Sequence, residues 1–249
     1  MIAVISPAKT LNYETVPPTG ETTRPRFEAE AASLARSAAN LPQKRLSELM
    51  KISPALAKLN AGRFRVFADA PERAAMFAFA GDVYTGLDAY TLDEAGVAFA
   101  QDHLRMLSGL YGLLRPLDAI RPYRLEMGVR WAPRRRKLTD WWDDRIAALL
   151  VEDLAEEGSA TVLNLASKEY WAAVEGRLPP ATQVIGVDFR EGVEARFVSF
   201  HAKKARGMMA RWLVEHRVER ADDMRGFDSD GYAFVASASE PDRWCFVRS

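Results

Sequence analysis

The sequence is poor in cysteine, with one thiol, Cys245, among 249 residues. A single cysteine excludes an internal disulfide framework and fits a reducing compartment. Long apolar runs are missing as well, and none approaches the roughly 18 residues that a membrane-spanning helix needs. The N-terminal residues MIAVISPAKT have a short apolar run and no basic segment before it, which is not typical of a signal peptide. We therefore expect a cytoplasmic protein with no membrane partner.

An excess of charge of either sign is also missing. The chain contains 34 Lys and Arg residues and 34 Asp and Glu residues, so that its formal net charge is zero. This balance excludes a protein that coats nucleic acid through bulk positive charge. A site for anions must therefore come from local clusters of cations.

Metal-binding patterns are absent from the sequence. The three histidines, His103, His201 and His216, stand far apart, and none follows the Glu-x-x-His spacing that is typical of di-iron helices. Cys245 has no partner for a thiolate cluster, which needs about four cysteines. A set of ligands assembled from distant residues stays possible. We predict no tightly bound iron and no other cofactor.

Strand and helix patterns alternate along the whole chain. The predicted strands are MIAVIS, AAMFAFAG, ATVLNLAS, TQVIGVDFRE and EARFVSF, with GYAFVAS and RWCFVRS as a closing pair. Helical patterns cover 27–59, with breaks near Pro42 and Pro54, and TLDEAGVAFAQDHL, in which Thr91 and Glu94 have capping-box spacing. WWDDRIAALLVEDLAEEG and AKKARGMMARWLVEHRV are amphipathic. We predict a single α/β (mixed α+β) domain over 1–249, with flanking helices around a mixed sheet whose C-terminal strands are antiparallel.

Four arginines stand among leucines and glycines in LRMLSGLYGLLRPLDAIRPYRLEMG, residues 104–128, at positions 105, 115, 121 and 124. Either carboxylates inside the protein pair with them, or they bind an anion from outside. Within this segment, SGLYGLLRP has the glycine spacing of the hairpin in helix-hairpin-helix DNA-binding units, whose free amides hold a phosphate. This interpretation predicts a helix-hairpin-helix-like element near 92–121. LRMLSG is equally compatible with a strand that leads into the turn.

Two further basic clusters are candidates for anion binding. In AKKARGMMARWLVEHRV, we expect Lys203, Lys204 and Arg206 in the first turn of a helix, where the helix dipole disfavours cations unless an anion binds there. A solvated helix face is the alternative. RWAPRRRK, Arg130 to Lys137, contains five cations and no acidic residue. It is either an exposed loop without a specific role or a contact for phosphates.

Ser6, Lys9 and Thr10 follow the first predicted strand directly in SPAKT. The carboxyl end of a strand in an α/β sheet is the usual position of a ligand crevice. The Walker pattern GxxxxGK[ST] is missing, so this segment is not a P-loop. The lysine can bind an anion, act as a nucleophile or base, or have only a structural role.

Several of these segments together resemble the YaaA family of peroxide-stress proteins. They are ISPAKTLNYE, FAGDVYTGL, the central segment from His103 to Gly128, NLASKEYW and FHAKKARGMMARW. The resemblance implies a cytoplasmic bacterial protein that protects cells from hydrogen peroxide by limiting free iron and DNA damage. It also implies a helix-hairpin-helix element beside a basic cleft, and binding to duplex or branched DNA.

DNA binding with little sequence specificity is therefore the leading hypothesis for function. The candidate DNA-binding residues are Gly109, Tyr111, Gly112, Arg115, Lys203, Lys204, Arg206 and Arg211. The alternative is an enzyme acting on a small anionic or phosphorylated ligand, with a pocket formed by Ser6, Lys9, Thr10, Arg124 and Glu126; no catalytic residue is assigned. A deep pocket that holds Lys9 near Glu126 favours the enzyme, whereas a shallow basic groove across the glycine hairpin favours DNA.

Overall fold

The computed structural model describes residues 1–248 and is built around a mixed β-sheet. The strands of this part of the chain are β1 Ile2–Ile5, β2 Thr10–Leu11, β3 Arg73–Ala74, β4 Phe79–Ala80, β5 Leu104–Ser108, β6 Gly112–Leu114, β7 Ala119–Ile120, β8 Thr161–Leu165, β9 Gln183–Glu191, β10 Tyr232–Phe234 and β11 Arg243–Arg248. Seven of them form one sheet in the order β10-β11-β9-β8-β1-β5-β6, and β2–β4 and β3–β7 form two small antiparallel pairs.

Helices connect these strands. Their bounds are α1 Glu28–Ala39, α2 Gln43–Met50, α3 Pro54–Arg65, α4 Ala75–Ala78, α5 Asp82–Leu87, α6 Glu94–His103, α7 Leu138–Trp142, α8 Arg145–Glu156, α9 Lys168–Trp171 and α10 Ser199–Glu215. The predicted breaks in 27–59 are confirmed. Pro42 is the N-cap residue of α2, and Pro54 is in the first turn of α3, where Ser53 caps the amide of Leu56.

The centre of the large sheet is parallel and its two edges are antiparallel. β1 is buried along its whole length and pairs in parallel with β5 on one side and β8 on the other. β9 and β11 continue the parallel part, and β6 and β10 close the edges in antiparallel orientation. An entirely apolar strand such as β1 is typical of the centre of a parallel sheet, since helices cover both faces of the sheet there. The predicted α/β fold with antiparallel C-terminal strands is confirmed.

Three local predictions are wrong. AAMFAFAG forms the short helix α4 followed by the two-residue strand β4. EARFVSF forms no strand: Arg196 makes only an isolated bridge to Glu191, and α10 begins at Ser199. The helix α6 is capped by Asp93, whose carboxylate accepts a hydrogen bond from the Gly96 amide at 2.7 Å. Thr91 therefore does not form the predicted capping box.

The predicted helix-hairpin-helix element near 92–121 is a helix followed by a β-hairpin. After α6 the chain enters β5 directly, turns, and returns as β6, with Ser108 opposite Gly112. The strand interpretation of LRMLSG is confirmed, and Pro116 lies in a turn before β7 rather than in a helix. All residues from Leu104 to Leu114 are buried, Arg105 and Ser108 included, which is typical of strands covered on both faces of a sheet.

Packing explains the two hairpin glycines. Gly109 and Gly112 are both buried, and the indole nitrogen of Trp142 donates a 2.9 Å hydrogen bond to the Gly109 carbonyl. A β-carbon at Gly109 would overlap the carbonyl oxygen of Leu125. Gly112 has a φ of +70°, and its β-carbon would lie 2.9 Å from Phe27 and Trp142. Both positions therefore exclude a side chain.

Helices α5 and α10 pack unusually closely. A β-carbon at Gly86 of α5 would overlap the Lys204 carbonyl, and one at Gly207 of α10 would overlap the Val83 carbonyl. Glycine on both sides lets the two backbones come together. This contact fixes α10 against the segment that follows β4, and it positions Lys203 and Arg206.

Candidate functional site

A crevice lies at the carboxyl edge of the parallel strands, between the loops that follow β1 and β8. From this point the strand order runs outward in both directions, through β5 to one edge and through β9 to the other. Such a reversal is where α/β sheets open a ligand crevice. The two loops are joined where the Ser167 amide donates a 2.8 Å hydrogen bond to Ser6 Oγ. Ser6 is therefore a buried link between the two walls.

The crevice has two chambers. The outer chamber has a volume of about 560 Å³ and is lined by Ser6 to Thr10, Ala80 to Tyr84, Ser167 to Tyr170, Lys203 and Arg206. The inner chamber has a volume of about 340 Å³ and is lined by Lys9, Leu49 to Lys51, Arg124, Glu126, Gly128, Val129 and Glu169. Lys9 and Glu169 line both chambers. The structure therefore brings Ser6, Lys9, Thr10, Arg124 and Glu126, which lie far apart in the sequence, into one crevice.

Glu126 is the most constrained polar group of the inner chamber. Its side chain is only 8% exposed, and Oε1 accepts a 2.9 Å hydrogen bond from Arg124 Nε and forms an ion pair with Arg124 Nη2, also at 2.9 Å. Lys9 Nζ lies 4.0 Å from the same oxygen. The other oxygen, Oε2, is buried and has no hydrogen-bond partner among the described residues. A buried acceptor without a donor is costly, so this atom is ready to accept a hydrogen bond from a ligand.

In the outer chamber, Arg206 has a hydrogen-bond donor without an acceptor. Its Nε is buried and has no acceptor among the described residues. Burial lowers the pKa of the guanidinium, and Asp188 partly opposes this effect. An arginine stays protonated at neutral pH. The half-buried guanidinium therefore has one buried donor, Nε, that is available to an acceptor from outside the protein.

Cations outnumber carboxylates around the crevice. The two chambers are lined by six cationic side chains, Lys9, Lys51, Arg124, Lys168, Lys203 and Arg206, and by three carboxylates, Asp82, Glu126 and Glu169. Lys203 is 54% exposed and lies 4.0 Å from Asp82. The crevice is therefore basic although the whole chain is neutral.

The basic loop, defined as Arg130 to Lys137, extends this charge beyond the crevice. It follows Gly128 and Val129 of the inner chamber. Its five cationic side chains, Arg130, Arg134, Arg135, Arg136 and Lys137, are exposed. Within residues 1–248 none of the five forms an ion pair. They are free to contact phosphates outside the crevice.

Three arginines of the central segment are paired internally. Arg105 donates to Asp153 at 2.6 Å, and Arg121 lies 2.8 Å from Glu72. Arg115 donates through Nε and Nη2 to Asp118, at 3.2 and 3.0 Å. Asp118 is completely buried, so Arg115 neutralises an internal charge. Its predicted contact with DNA would compete with this pair.

The hairpin residues also do not present a surface for DNA. Gly109, Tyr111 and Gly112 are buried, and the Tyr111 amide donates to Ser108 Oγ at 2.9 Å. The Tyr111 hydroxyl accepts a 2.9 Å hydrogen bond from the Arg121 amide. We expected the amides of this hairpin to contact a phosphate. The structure corrects this expectation, because the hairpin is buried in the core.

The positions of the α10 cations differ from the sequence prediction. The helix begins at Ser199, so its first turn contains no cation, and Lys203 to Arg206 lie in the second turn and beyond. The predicted dipole effect at these residues is wrong. Arg211 donates to the Asp88 carbonyl at 2.8 Å and to Thr91 Oγ1 at 2.7 Å, which anchors the end of α5. Of the four predicted α10 cations, Lys203 and Arg206 line the crevice.

Sequence reasoning missed part of the crevice. Asp82, Lys168 and Glu169 were not predicted as site residues, although they lie in GDVYTGL and NLASKEYW, which carry part of the family resemblance. The available signal was their position. Lys168 and Glu169 follow a predicted strand, as SPAKT does, and parallel strands bring both ends to one edge.

Residues 1–248 contain no group of three or more His, Cys, Asp or Glu side chains arranged to hold a metal ion. No helix in this range is both long enough and apolar enough to cross a bilayer.

Comparison with known proteins gives a consistent assignment. A family model described as peroxide stress protein YaaA matches residues 1–238. A UPF0246 protein of Rhizorhabdus wittichii is 53% identical over 252 aligned residues, covering 100% of both chains. A UPF0246 protein of Hahella chejuensis is 46% identical and covers 100% of this chain and 99% of its own. With a family match over almost its whole length, this chain belongs to the YaaA family of peroxide stress proteins.

Proposed function

We propose that this peroxide-stress protein binds DNA through backbone phosphates at the basic crevice. The observation that carries the proposal is the excess of positive charge in the crevice, above all Arg206, whose buried Nε has no acceptor among the described residues. A phosphate oxygen is a strong acceptor for such a donor. Binding through phosphates places the protein on DNA without reading its sequence.

The basic loop favours DNA over a small anion as the main ligand. A small ligand is enclosed by the crevice, whereas a DNA strand extends beyond it and meets further cations. Arg130 to Lys137 provide them, next to the inner chamber and without internal partners in residues 1–248. Together with Lys203 of the crevice and its half-buried neighbour Lys204 on α10, they form a discontinuous set of cations suited to a polyanion.

Salt dependence tests this surface. Each phosphate contact contributes about −0.9 to the slope of log K against log salt for duplex DNA. Changing Lys203 and Lys204 to Ala is expected to flatten that slope by nearly two units, with little dependence on base sequence. Fluorescence anisotropy with a labelled duplex at several salt concentrations measures it.

The control variant changes Lys44 and Lys58 to Ala. Both are exposed lysines on α2 and α3 and do not line the crevice. We expect the wild-type slope in this control. A folded Lys203/Lys204 variant with an unchanged slope would show that these lysines do not contact DNA.

An enzyme acting on a small phosphorylated ligand is the second candidate. The proximity of Lys9 and Glu126, 4.0 Å apart in the inner chamber, favours it, because an ammonium and a carboxylate side by side can exchange protons with a substrate. This function predicts a large loss of small-anion binding in crevice variants and little change in the DNA salt slope. The same titrations, repeated with inorganic phosphate, therefore separate the two functions.

For free iron we propose only an indirect effect. The three histidines have separate surroundings: His103 contacts the Met1 carbonyl, His201 contacts Arg248, and His216 contacts the Trp212 carbonyl. Protein purified under anaerobic conditions is expected to contain far less than one iron per chain by elemental analysis. A stoichiometric metal in such a preparation would contradict this view.

A further inference from the structure

We infer that the crevice accepts one nucleotide unit, with its phosphate in the outer chamber at Lys203 and Arg206 and its base in the inner chamber, where a base N–H donates to Glu126 Oε2. This inference rests on the proposed DNA binding and specifies what enters the crevice. The nucleotide can belong to a DNA strand, as an unpaired residue, or be free in solution. The recognising chemistry is the same in both cases.

The two buried atoms without hydrogen-bond partners have opposite roles. Glu126 Oε2 is an acceptor without a donor, and Arg206 Nε is a donor without an acceptor. A carboxylate has no proton to donate, and a guanidinium has no lone pair to offer. A simple anion satisfies Arg206 and is repelled by Glu126. A ligand that suits the whole crevice therefore carries an anionic group at one end and an N–H donor at the other.

The two chambers are connected. Lys9 and Glu169 line both, so a ligand can lie across them. Volumes of about 340 and 560 Å³ are within the range of sites for small organic ligands. A nucleotide has the required form, since its phosphate and the donor edge of its base are separated by the sugar.

The two tyrosines of the outer chamber carry no charge. Tyr84 and Tyr170 line it, and burial raises the pKa of both phenols well above the usual value. Both stay protonated and uncharged at neutral pH, so they add no repulsion to an incoming phosphate. Tyr84 donates to the Ser6 carbonyl at 3.2 Å, which holds its ring against the wall.

The variant Glu126→Gln tests the position of the base. The amide oxygen of glutamine can keep the hydrogen bond from Arg124 Nε, and its NH₂ group then replaces Oε2, so that an NH₂ donor faces the N–H donor of the base. We expect dGMP to bind about ten- to a hundredfold more weakly, as is typical when a charged hydrogen-bond partner is lost. Inorganic phosphate, which lacks a base, is expected to bind at least as tightly as to the wild type, because the variant removes the negative charge that repels it. Isothermal titration calorimetry measures both affinities.

The variant Arg206→Ala is the complementary test. We expect it to weaken dGMP and inorganic phosphate alike, because both use the outer chamber. Thermal melting of each variant confirms that it is folded. If Glu126→Gln weakens phosphate as much as dGMP, or leaves dGMP unchanged, the assignment of the base to the inner chamber is overturned.

Oligonucleotides distinguish the two sources of the nucleotide. The probes are a duplex with one unpaired guanosine and the same duplex with an abasic analogue at that position. Tighter binding of the unpaired guanosine, lost in Glu126→Gln, assigns the site to a strand nucleotide. If only free dGMP depends on Glu126, the ligand is a mononucleotide. If neither probe depends on Glu126, the inference is wrong.

The outcomes also separate this inference from the proposed function. If wild type and Glu126→Gln bind duplex DNA with the same salt dependence and bind dGMP with the same affinity, the inference is wrong. The proposal that the protein binds DNA is then unaffected. Glu126-dependent dGMP binding by a protein that binds no duplex supports the nucleotide site and rejects the DNA proposal.

Discussion

Replacing Asp153 with alanine is expected to lower the free energy of unfolding by about 3–5 kcal/mol, the usual cost of removing one partner of a buried ion pair. Asp153 on α8 is 1% exposed and joins two arginines. Arg105 Nε donates to it at 2.6 Å and Arg26 Nη2 at 2.9 Å. Arg105 is itself 5% exposed, so the variant leaves a buried guanidinium without its counter-charge.

The matched control is Glu152→Ala, one residue earlier on the same helix. Glu152 is exposed, so its replacement is expected to change the unfolding free energy by less than about 0.5 kcal/mol. Urea titration followed by circular dichroism compares both variants with wild type. Equal stability of the two variants would show that the Asp153 cluster contributes nothing beyond a surface residue.

The same cluster gives the direction of the pH dependence. Burial by itself raises the pKa of Asp153, but the hydrogen bonds from Arg26 and Arg105 outweigh it and hold the pKa below the usual value. A carboxyl group whose pKa is lower in the folded state stabilises that state at pH values above its unfolded pKa. This stabilisation is lost as the pH falls towards the folded-state pKa. The wild type is therefore expected to lose stability in acid, and Asp153→Ala to lose less.

Replacing Gly112 with valine is expected to destabilise the protein by about 2–5 kcal/mol, with two separate causes. At a φ of +70° a residue with a side chain costs about 1–2 kcal/mol, and more when it is β-branched. Overpacking of a core typically adds about 1–3 kcal/mol, and here the new atoms meet Phe27 and Trp142. Thermal melting is the measurement.

Gly158→Val separates the two causes. Gly158 has a nearly identical φ of +73°, and a β-carbon there would meet nothing within 4 Å. The control therefore contains the backbone cost without the clash, and we expect it to be the more stable of the two variants. If both variants melt at the same temperature, the packing of the hairpin tolerates a side chain, and Gly112 regains a place among candidates for ligand contact.

Most elements of the fold could be predicted because their sequence patterns are local. The buried strand MIAVIS and the helix breaks at Pro42 and Pro54 agree with the structure. AAMFAFAG does not, because an apolar run buried on all sides has no periodicity to separate a helix from a strand. EARFVSF has a strand-like composition but no partner strand, and Phe197 and Phe200 are more than half exposed.

The candidate site was predictable in part for a similar reason. Ser6, Lys9 and Thr10 follow an identifiable strand, and the rule for α/β sheets places them at the crevice. The role of the hairpin glycines could not be read in the same way, because their spacing indicates a turn but not what covers it. The internal partners of Arg105 and Arg115 depend on tertiary contacts with buried carboxylates, which no local pattern reveals.

The central position of β1 determines when the chain can fold during synthesis. Residues 3–5 pair with 104–106 and residues 2–5 with 162–165, so β1 leaves the ribosome before both of its neighbours and waits for them. At about 5–20 residues per second, this delay lasts on the order of 10–30 s. Until residue 106 has emerged, an entirely apolar strand has both hydrogen-bonding edges open, and the edge that β8 will cover stays open until residue 165. Open strand edges favour association with other chains, so we expect the nascent protein to be most prone to aggregation before residue 165 has emerged.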